Sequence, residues 1–249
     1  MIKIFNIFSR LFLTALLISG AVFHVAAQNK TFAKDSTCEP PTLSLKKANT
    51  KDAASATAYV YEFTQPNFYI SHIKIEHDAA GRGKLLFNRK GVEEPLIENL
   101  QLSETARARI IGLWDALGFL DSGTSYQSEK EFPHLGTMRL CMKQGERARA
   151  AEFNWTNDRN AFALVNEYRR AADQTMFVFD INLAREHEPL DAPKLLDQLD
   201  SLYSRNGLSD PQQLVTLLRD LNTDERIPLI ARNHAARIIK KIEKKSAKS

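Results

Sequence analysis

The chain contains two stretches in which apolar and polar residues alternate, and a helical pattern follows each of them. In the first stretch Tyr59, Tyr61 and Phe63 share one face of a strand, and residues 69–77 and 84–89 predict a hairpin. A period of two is typical of strands that are buried on one side. A half-buried sheet needs helices to cover it, so the pattern predicts an α+β fold with a mainly antiparallel sheet.

A helix is predicted between Ser103 and Gly118, directly after this first set of strands. Ser103 suits the N-terminal cap, and Gly118 is a typical helix stop. Ile110, Ile111 and Trp114 recur at helical spacing between them. Residues 94–100 predict a fourth strand before this helix, which completes the first hairpin-plus-helix unit.

The second unit repeats this plan. Residues 137–143 and 147–155 predict a hairpin around Gly145, and Asn157 or Asp158 caps the next helix. Its predicted buried face consists of Ala161, Leu164, Val165, Tyr168 and Ala172. Residues 175–181 (TMFVFDI) predict a last strand, and a helix over residues 179–186 is the alternative.

The remainder of the chain is predicted to be helical. Helices are expected over residues 193–203, 211–221 and 228–245, each beginning near a proline. Three short helices cannot bury their own apolar faces, so we expect them to dock onto the α+β body. The predicted organisation is a signal peptide (1–27), a flexible spacer (28–57), an α+β domain (58–188) and a helical C-terminal segment with a basic tail (189–249).

The N-terminus has the pattern of a secretory signal peptide. Lys3 and Arg10 precede an apolar run over residues 11–23, and small residues end at Ala27. Cleavage is therefore predicted between Ala27 and Gln28, and the mature protein is expected in the periplasm or outside the cell. An uncleaved anchor helix is the alternative, although the apolar run is shorter than the ~20 residues that span a bilayer.

The chain has two cysteines, Cys38 and Cys141. In an exported protein such a pair favours one disulfide, and two free thiols are the alternative. Cys141 shares the polar face of its predicted strand with Arg139 and Lys143, so its thiol is expected to lie outside the core.

Composition excludes several classes of protein. With 43% hydrophobic and 26% charged residues, the chain is neither wholly disordered nor a polytopic membrane protein. Its basic residues are concentrated at the C-terminus, including Lys240, Lys241, Lys244 and Lys245. These lysines can contact an anionic surface or simply solvate a helix end, and no nucleic-acid binding is expected.

Residues with catalytic or metal-binding chemistry are few. Glu76, His77 and His134 lie near the predicted hairpins, yet no catalytic, metal or phosphate motif includes them. No cofactor is predicted. Tyr59, Tyr61 and Trp155 can line a groove or fill the core. A solvated helix face accounts for the remaining group of basic residues, Arg107, Arg109, Arg169 and Arg170.

Residues 102–122, 132–138, 153–159 and 228–233 (LSETARARIIGLWDALGFLDS, FPHLGTM, FNWTNDR and PLIARN) carry a resemblance to a known group. Across about residues 59–244 the chain resembles exported bacterial proteins of unknown function in which hairpins and helices alternate behind a signal peptide. The resemblance implies the architecture, and it implies no activity, cofactor or catalytic residue.

These patterns predict an exported, non-enzymatic bacterial protein that binds a partner or ligand in the periplasm or outside the cell. One alternative is a secreted hydrolase whose acid and base residues, with Glu76, His77 and His134 as first candidates, are brought together by the fold. Another is a protein that docks on the cell envelope through its basic C-terminal helix.

Overall fold

The computed structural model describes residues 57–247, and six of its segments pair as antiparallel strands of one sheet. The strands are β1 (Thr57–Thr64), β2 (Ile70–Asp78), β3 (Arg82–Arg89), β4 (Leu96–Gln101), β5 (Thr137–Gln144) and β6 (Arg147–Phe153). The predicted signal peptide, its cleavage site and Cys38 lie outside the described residues, as does the predicted spacer apart from Thr57.

The strand order is β4-β3-β2-β1-β5-β6, so the first strand lies in the middle of the sheet. Tyr61 of β1 is in register with Ile75 of β2 on one side and with Leu140 of β5 on the other. All three side chains are fully buried on the same face. The predicted alternation of Tyr59, Tyr61 and Phe63 is therefore confirmed.

Two helices cover this apolar face. Helix α1 (Glu104–Ala116) begins after Ser103, whose hydroxyl accepts a hydrogen bond from the Ala106 amide. Helix α2 (Arg159–His187) begins after Asp158, whose carboxylate accepts hydrogen bonds from the Asn160 and Ala161 amides. Both predicted caps are confirmed, and with them the two hairpin-plus-helix units of an α+β fold.

The predicted last strand over residues 175–181 is wrong, because these residues continue α2 without a break. Phe177, Ile181 and Ala184 are buried at intervals of three and four residues, which is the period of a helix. A short run of apolar residues contains too few polar residues to show whether its period is that of a strand or of a helix. The sequence alone therefore did not decide between the two.

Helices α3 (Ala192–Ser204), α4 (Val215–Thr223) and α5 (Leu229–Ser246) form the C-terminal part, with a 3₁₀ turn before α4. This agrees with the three predicted helices. They pack around a second core with the C-terminal half of α2, which contributes Phe177 and Ile181. The N-terminal half of α2 packs on the sheet instead. At about 1.5 Å per residue, its 29 residues span roughly 44 Å and belong to both cores.

Polar contacts also join the sheet to the helical part. The Arg109 guanidinium of α1 donates hydrogen bonds to Glu167 of α2 (3.3 Å) and to the Ser209 carbonyl (2.6 Å). The Gln174 amide of α2 donates to Gln213 (3.1 Å) and accepts from the Asp210 amide (2.9 Å). The expected docking of the helical segment onto the α+β body is thus supported by specific hydrogen bonds.

Cys141 lies on the polar face of β5, between Val60 of β1 and Ala150 of β6. Only 5% of the residue is exposed, so the expectation of a thiol outside the buried interior is corrected. The disulfide with Cys38 stays a prediction.

None of the helices between residues 57 and 247 combines the length and the apolar character that a membrane span requires.

Candidate ligand-binding site

A cavity of about 770 Å³ opens between one end of the sheet and the N-terminal half of α2. Its walls come from the β1–β2 turn, from the start of β5, from the residues that follow β6, and from α2. We call it the aromatic pocket. Its volume lies within the range of roughly 300 to 1,000 Å³ that is usual for small-molecule sites.

The pocket is walled mainly by aromatic and aliphatic side chains. Phe63 and Phe68 contact each other at one side with ring centroids 6.1 Å apart. Trp155 and Phe162 contact each other across 6.4 Å. Phe68, Trp155 and Phe162 are 45%, 38% and 48% exposed, so the apolar surface reaches the mouth. Grouped apolar exposure beside a cavity is typical of a binding surface.

Helix α2 supplies one wall through a regular set of positions. Phe162, Val165, Arg169, Asp173 and Met176 all line the pocket and recur every three or four residues. This spacing places them on one face of the helix, next to the face that packs on the sheet.

The opposite rim is fixed by hydrogen bonds between two loops. The Gln65 side-chain amide donates to the carbonyls of Pro133 (3.1 Å) and His134 (2.9 Å). Gly136 follows this turn with φ +90, and a Cβ there would lie 2.6 Å from the Phe63 ring. A glycine is therefore required to bring the 132–136 loop against β1 and to shape the pocket wall.

Three polar residues that line the aromatic pocket differ in exposure: Tyr61 is fully buried, Asp173 is half-buried and Arg169 is exposed. The Tyr61 hydroxyl is buried and has no hydrogen-bond partner of normal geometry within the described chain. Burial raises the pKa of Tyr61, an effect that the positive charge of Arg169 and the approach of its guanidinium to the hydroxyl both partly oppose. The guanidinium of Arg169 lies 5.6 Å from the Phe63 ring centre and 3.5 Å from the Met138 sulfur.

Asp173 is a carboxyl of the pocket with a strongly perturbed ionisation. Burial raises its pKa from the ordinary value of 3.8 to about 6, although Arg205 and Arg169 both act to lower it. Neither arginine comes within 4 Å of this carboxylate, and no hydrogen bond to it forms from residues 57–247. A carboxyl with a raised pKa in a cleft is a common mark of a functional site.

The aromatic pocket continues into a groove along α2 towards its C-terminal half. This groove shares Tyr69, Asp173 and Met176 with the pocket and leads to the Arg89–Asp180 pair. Both guanidinium nitrogens of Arg89 donate to Asp180, at 2.6 and 2.8 Å, and the guanidinium lies over the rings of Phe87 and Phe179. Arg89 is therefore paired with a carboxylate of the fold, whereas no carboxylate of the described residues lies within 4 Å of Arg169.

The structure does not bring Glu76, His77 and His134 into one site. The Glu76 carboxylate contacts Lys74 on the polar face of the sheet, whereas His77 points into the core. His134 lies in the rim turn with its ring against Phe132. Within residues 57–247, no group of three His, Cys, Asp or Glu side chains has the arrangement of a metal site.

His77 belongs to a buried hydrogen-bond network with Tyr168 and Trp114. Its Nδ1 lies 2.8 Å from the Asp78 carbonyl, so Nδ1 carries the proton and Nε2 accepts from the Tyr168 hydroxyl at 2.8 Å. The Trp114 indole N–H donates to the same hydroxyl at 2.9 Å. Burial lowers the pKa of His77, which keeps the ring neutral and suits this arrangement.

Sequence reasoning identified part of this site. Of the three aromatic residues considered for a groove, Tyr61 and Trp155 line the aromatic pocket, while Tyr59 stacks on His77 in the core. Arg169, assigned to a solvated face, is exposed as expected and also lines the aromatic pocket. Asp173 was missed, although its spacing from Phe162, Val165 and Arg169 is the signal that places it on the same helix face.

Comparison of the chain with protein-family models gives no match, and comparison with curated proteins gives none either. The function is therefore inferred from the chemistry of the aromatic pocket.

Proposed function

We propose that the chain is an exported bacterial protein that binds a small molecule with a large apolar part in the aromatic pocket, without catalysing a reaction. The observation that carries this proposal is the pocket of about 770 Å³, with aromatic walls and a few polar side chains in its lining. This combination of an apolar cavity and convergent polar groups is the usual design of a small-molecule site.

The exposed rings at the mouth support binding rather than a purely structural role. Trp155, Phe162 and Phe68 are each more than a third exposed, and the apolar cavity that they line is not filled by side chains of the protein. Full burial of an exposed ring contributes roughly 1.5 to 3 kcal/mol, and these rings are less than half exposed, so an apolar ligand that closes over them gains up to about half of that for each ring.

The export part of the proposal depends on residues 1–27, which lie outside the described part of the chain. Native mass spectrometry of protein exported by a bacterial host, purified without reductant, tests this part directly. We expect a mass that begins at Gln28 and lacks two hydrogens, because Cys38 and Cys141 are predicted to be bridged. A full-length mass would contradict cleavage.

The binding part is tested with the neutral fluorescent dye N-phenyl-1-naphthylamine. We expect one saturable site, together with quenching of Trp155 at the pocket mouth. Phe162→Asp places a charge on the apolar wall and should abolish binding. The matched control is Ile230→Asp at an exposed position at the start of α5, which should leave binding unchanged. Equal binding by both variants, or binding that does not saturate, would contradict the proposal.

Asp173 is a candidate residue for the hydrolase alternative, because it lines the aromatic pocket. The first candidates, Glu76, His77 and His134, do not meet in one site. A buried carboxyl with a pKa of about 6 can exchange a proton near neutral pH. Turnover of p-nitrophenyl butyrate, lost in Asp173→Asn while dye binding persists, would favour a hydrolase. Rates equal to those in buffer alone favour the binding protein.

A further inference from the structure

The polar side chains that line the aromatic pocket indicate the chemical class of the ligand. Resting on the binding function proposed above, we infer that the ligand is a monocarboxylate with an apolar tail. Its carboxylate is held by the Tyr61 hydroxyl and the Arg169 guanidinium, and its tail lies along Phe63, Trp155 and Phe162.

Arg169 has the properties of a ligand-binding cation. It lies within 4 Å of no carboxylate in the described part of the chain, whereas its neighbour Arg170 donates to Glu167 at 2.7 Å. Its contacts are with the Phe63 ring, the Met138 sulfur and the Tyr61 hydroxyl, whose pKa it lowers, all of them pocket walls, and the residue is also exposed to solvent. A guanidinium presents five donors in a planar fork that matches a carboxylate, and these contacts do not satisfy the donors fully.

The Tyr61 hydroxyl is the second, independent observation. Tyr61 is fully buried, its ring stacks parallel to that of Tyr168 at 5.1 Å, and its hydroxyl is left without a partner of normal geometry in residues 57–247. Buried hydroxyls nearly always have a hydrogen-bond partner, so an unpaired one in a pocket wall indicates a group that a ligand supplies. The O–H of Tyr61 can donate to a carboxylate oxygen.

The charge of the site favours a carboxylate over a phosphate. Arg169 provides one positive charge, and Asp173 one helical turn away is negative when it is ionised. A carboxylate brings one negative charge and matches a single guanidinium, whereas a phosphate monoester brings between one and two. A dianion beside Asp173 would be left without enough positive charge.

Asp173 should make carboxylate binding depend on pH. The charged and titratable groups that face it are Arg169 on its own helix, Arg205 at the end of α3, and Tyr61 on β1. Arg89 and Asp180 lie further along the groove and are paired with each other. Because its pKa is about 6, Asp173 is mostly neutral at pH 5.5 and mostly ionised at pH 7.5. Its repulsion of a bound carboxylate is therefore lost as pH falls.

Isothermal titration with decanoate and 1-decanol tests the inference, because the two ligands share an apolar chain and differ at the head. We expect wild-type protein to bind decanoate at least tenfold more tightly than 1-decanol. Arg169→Gln should weaken decanoate binding by about tenfold to hundredfold, and Tyr61→Phe by a smaller factor, with 1-decanol unaffected in both. Arg170→Gln is the matched control and should change neither ligand.

The pH arm uses the same two ligands. Decanoate should bind about fivefold to tenfold more tightly at pH 5.5 than at pH 7.5, because an aliphatic carboxyl is still largely ionised at the lower pH while Asp173 is not. The affinity of 1-decanol should not change. Asp173→Asn should make decanoate binding nearly independent of pH.

These titrations distinguish failure of the binding function from failure of the carboxylate assignment. If neither ligand binds, the proposed binding function is wrong and the inference is wrong with it. If both bind equally and Arg169→Gln has no effect, the pocket binds apolar molecules but the carboxylate assignment is overturned. Tighter binding of decyl phosphate than of decanoate would also overturn that assignment.

Discussion

The sheet core and the helical core of this protein are built from different side chains. The largest fully buried residues on the sheet side are aromatic: Trp114, Tyr61, Tyr168, Phe87 and Phe119. The fully buried residues among the C-terminal helices are almost all Leu, Ile or Ala. The aromatic pocket lies on the aromatic side.

The two cores also differ in their buried polar groups. The sheet core contains the His77–Tyr168–Trp114 network and the unpaired Tyr61 hydroxyl. The helical part also buries polar groups: His234 lies 3.1 Å from Asp197 and 3.4 Å from Asp200, and Ser209 Oγ and Arg232 Nε have no partner in the described part of the chain. What distinguishes the sheet side is its aromatic hydrogen-bond network and the aromatic pocket, to which helices α3 to α5 contribute no lining residue.

The largest expected effect is on stability, from a cavity in the helical core. Leu196→Ala removes a fully buried side chain of α3 and should cost about 3 to 5 kcal/mol in the free energy of unfolding. Because α2 belongs to both cores, urea unfolding followed by circular dichroism and by tryptophan fluorescence should give one coincident transition. Both tryptophans, Trp114 and Trp155, lie on the sheet side, so the two signals report on different regions.

Leu190→Ala is the control for this variant, because Leu190 is 83% exposed and its truncation should change stability by less than about 0.5 kcal/mol. A fluorescence transition that persists after the helical signal is lost would show that the two cores unfold independently.

The next effect is a pH-dependent stabilisation by Asp173→Asn. The folded state raises the pKa of Asp173 from 3.8 to about 6, so folding is opposed by this group at every pH above its folded pKa. The opposition fades as pH falls from about 6 towards 4, where the folded carboxyl is protonated. At pH 7.5 the variant should be more stable than wild type by up to about 3 kcal/mol, and at pH 4 by little.

Thermal unfolding of both proteins from pH 4 to pH 8 measures this difference. Asp220→Asn, at an exposed carboxyl of α4, serves as the charge-matched control and should show no comparable trend. A constant difference across this range would mean that Asp173 does not titrate near pH 6.

A smaller effect is expected from Tyr168→Phe. Loss of this hydroxyl leaves the Trp114 N–H and the His77 Nε2 buried without a partner, at a cost of about 2 kcal/mol. Tyr203→Phe removes a hydroxyl that donates to the exposed Lys241 carbonyl in the helical part, so it should cost less than about 1 kcal/mol. Urea unfolding of both variants compares the two regions directly. Equal costs would contradict the expected difference between a buried hydroxyl network and an exposed hydrogen bond.

The smallest expected effect concerns the basic end of α5. Lys241 is paired with Asp200 and Lys245 lies over the Tyr203 ring, whereas Lys240 and Lys244 are exposed. If α5 contacts anionic surfaces, replacing Lys240 and Lys244 with Gln should weaken binding to phosphatidylglycerol vesicles by at most about 1 kcal/mol for each lysine.

Cosedimentation at low salt measures this binding. The control replaces the exposed Lys84 and Lys90 of the sheet part with Gln. Equal loss in both double variants would mean that net charge, rather than α5, governs the contact.

Most of the fold was predictable because its signals are local. Alternation over Tyr59, Tyr61 and Phe63 fixed the buried face of β1, and Ser103 and Asp158 marked the starts of α1 and α2. The prediction for residues 175–181 failed because this apolar run has too few polar residues to show a strand or a helix period. The choice between strand and helix depended on packing against distant helices.

The candidate site was less predictable, because it is assembled from segments that are far apart in the chain. Tyr61, Trp155 and Arg169 were each noted, yet no local pattern shows that a strand, a loop and a helix converge. The raised pKa of Asp173 results from burial by that convergence, so it has no signature in the sequence.

The central position of β1 has a consequence for how the chain folds. Strands β1 to β4 pair with their neighbours in sequence, but Tyr61 of β1 meets Leu140 of β5 only about 80 residues later. Until that pairing forms, β1 presents an open edge with Tyr59, Tyr61 and Phe63 beside it, which is the kind of surface on which chains aggregate. Closure of the sheet by β5 is therefore the slow, high-contact-order step, and the yield of refolded protein should fall steeply with its concentration.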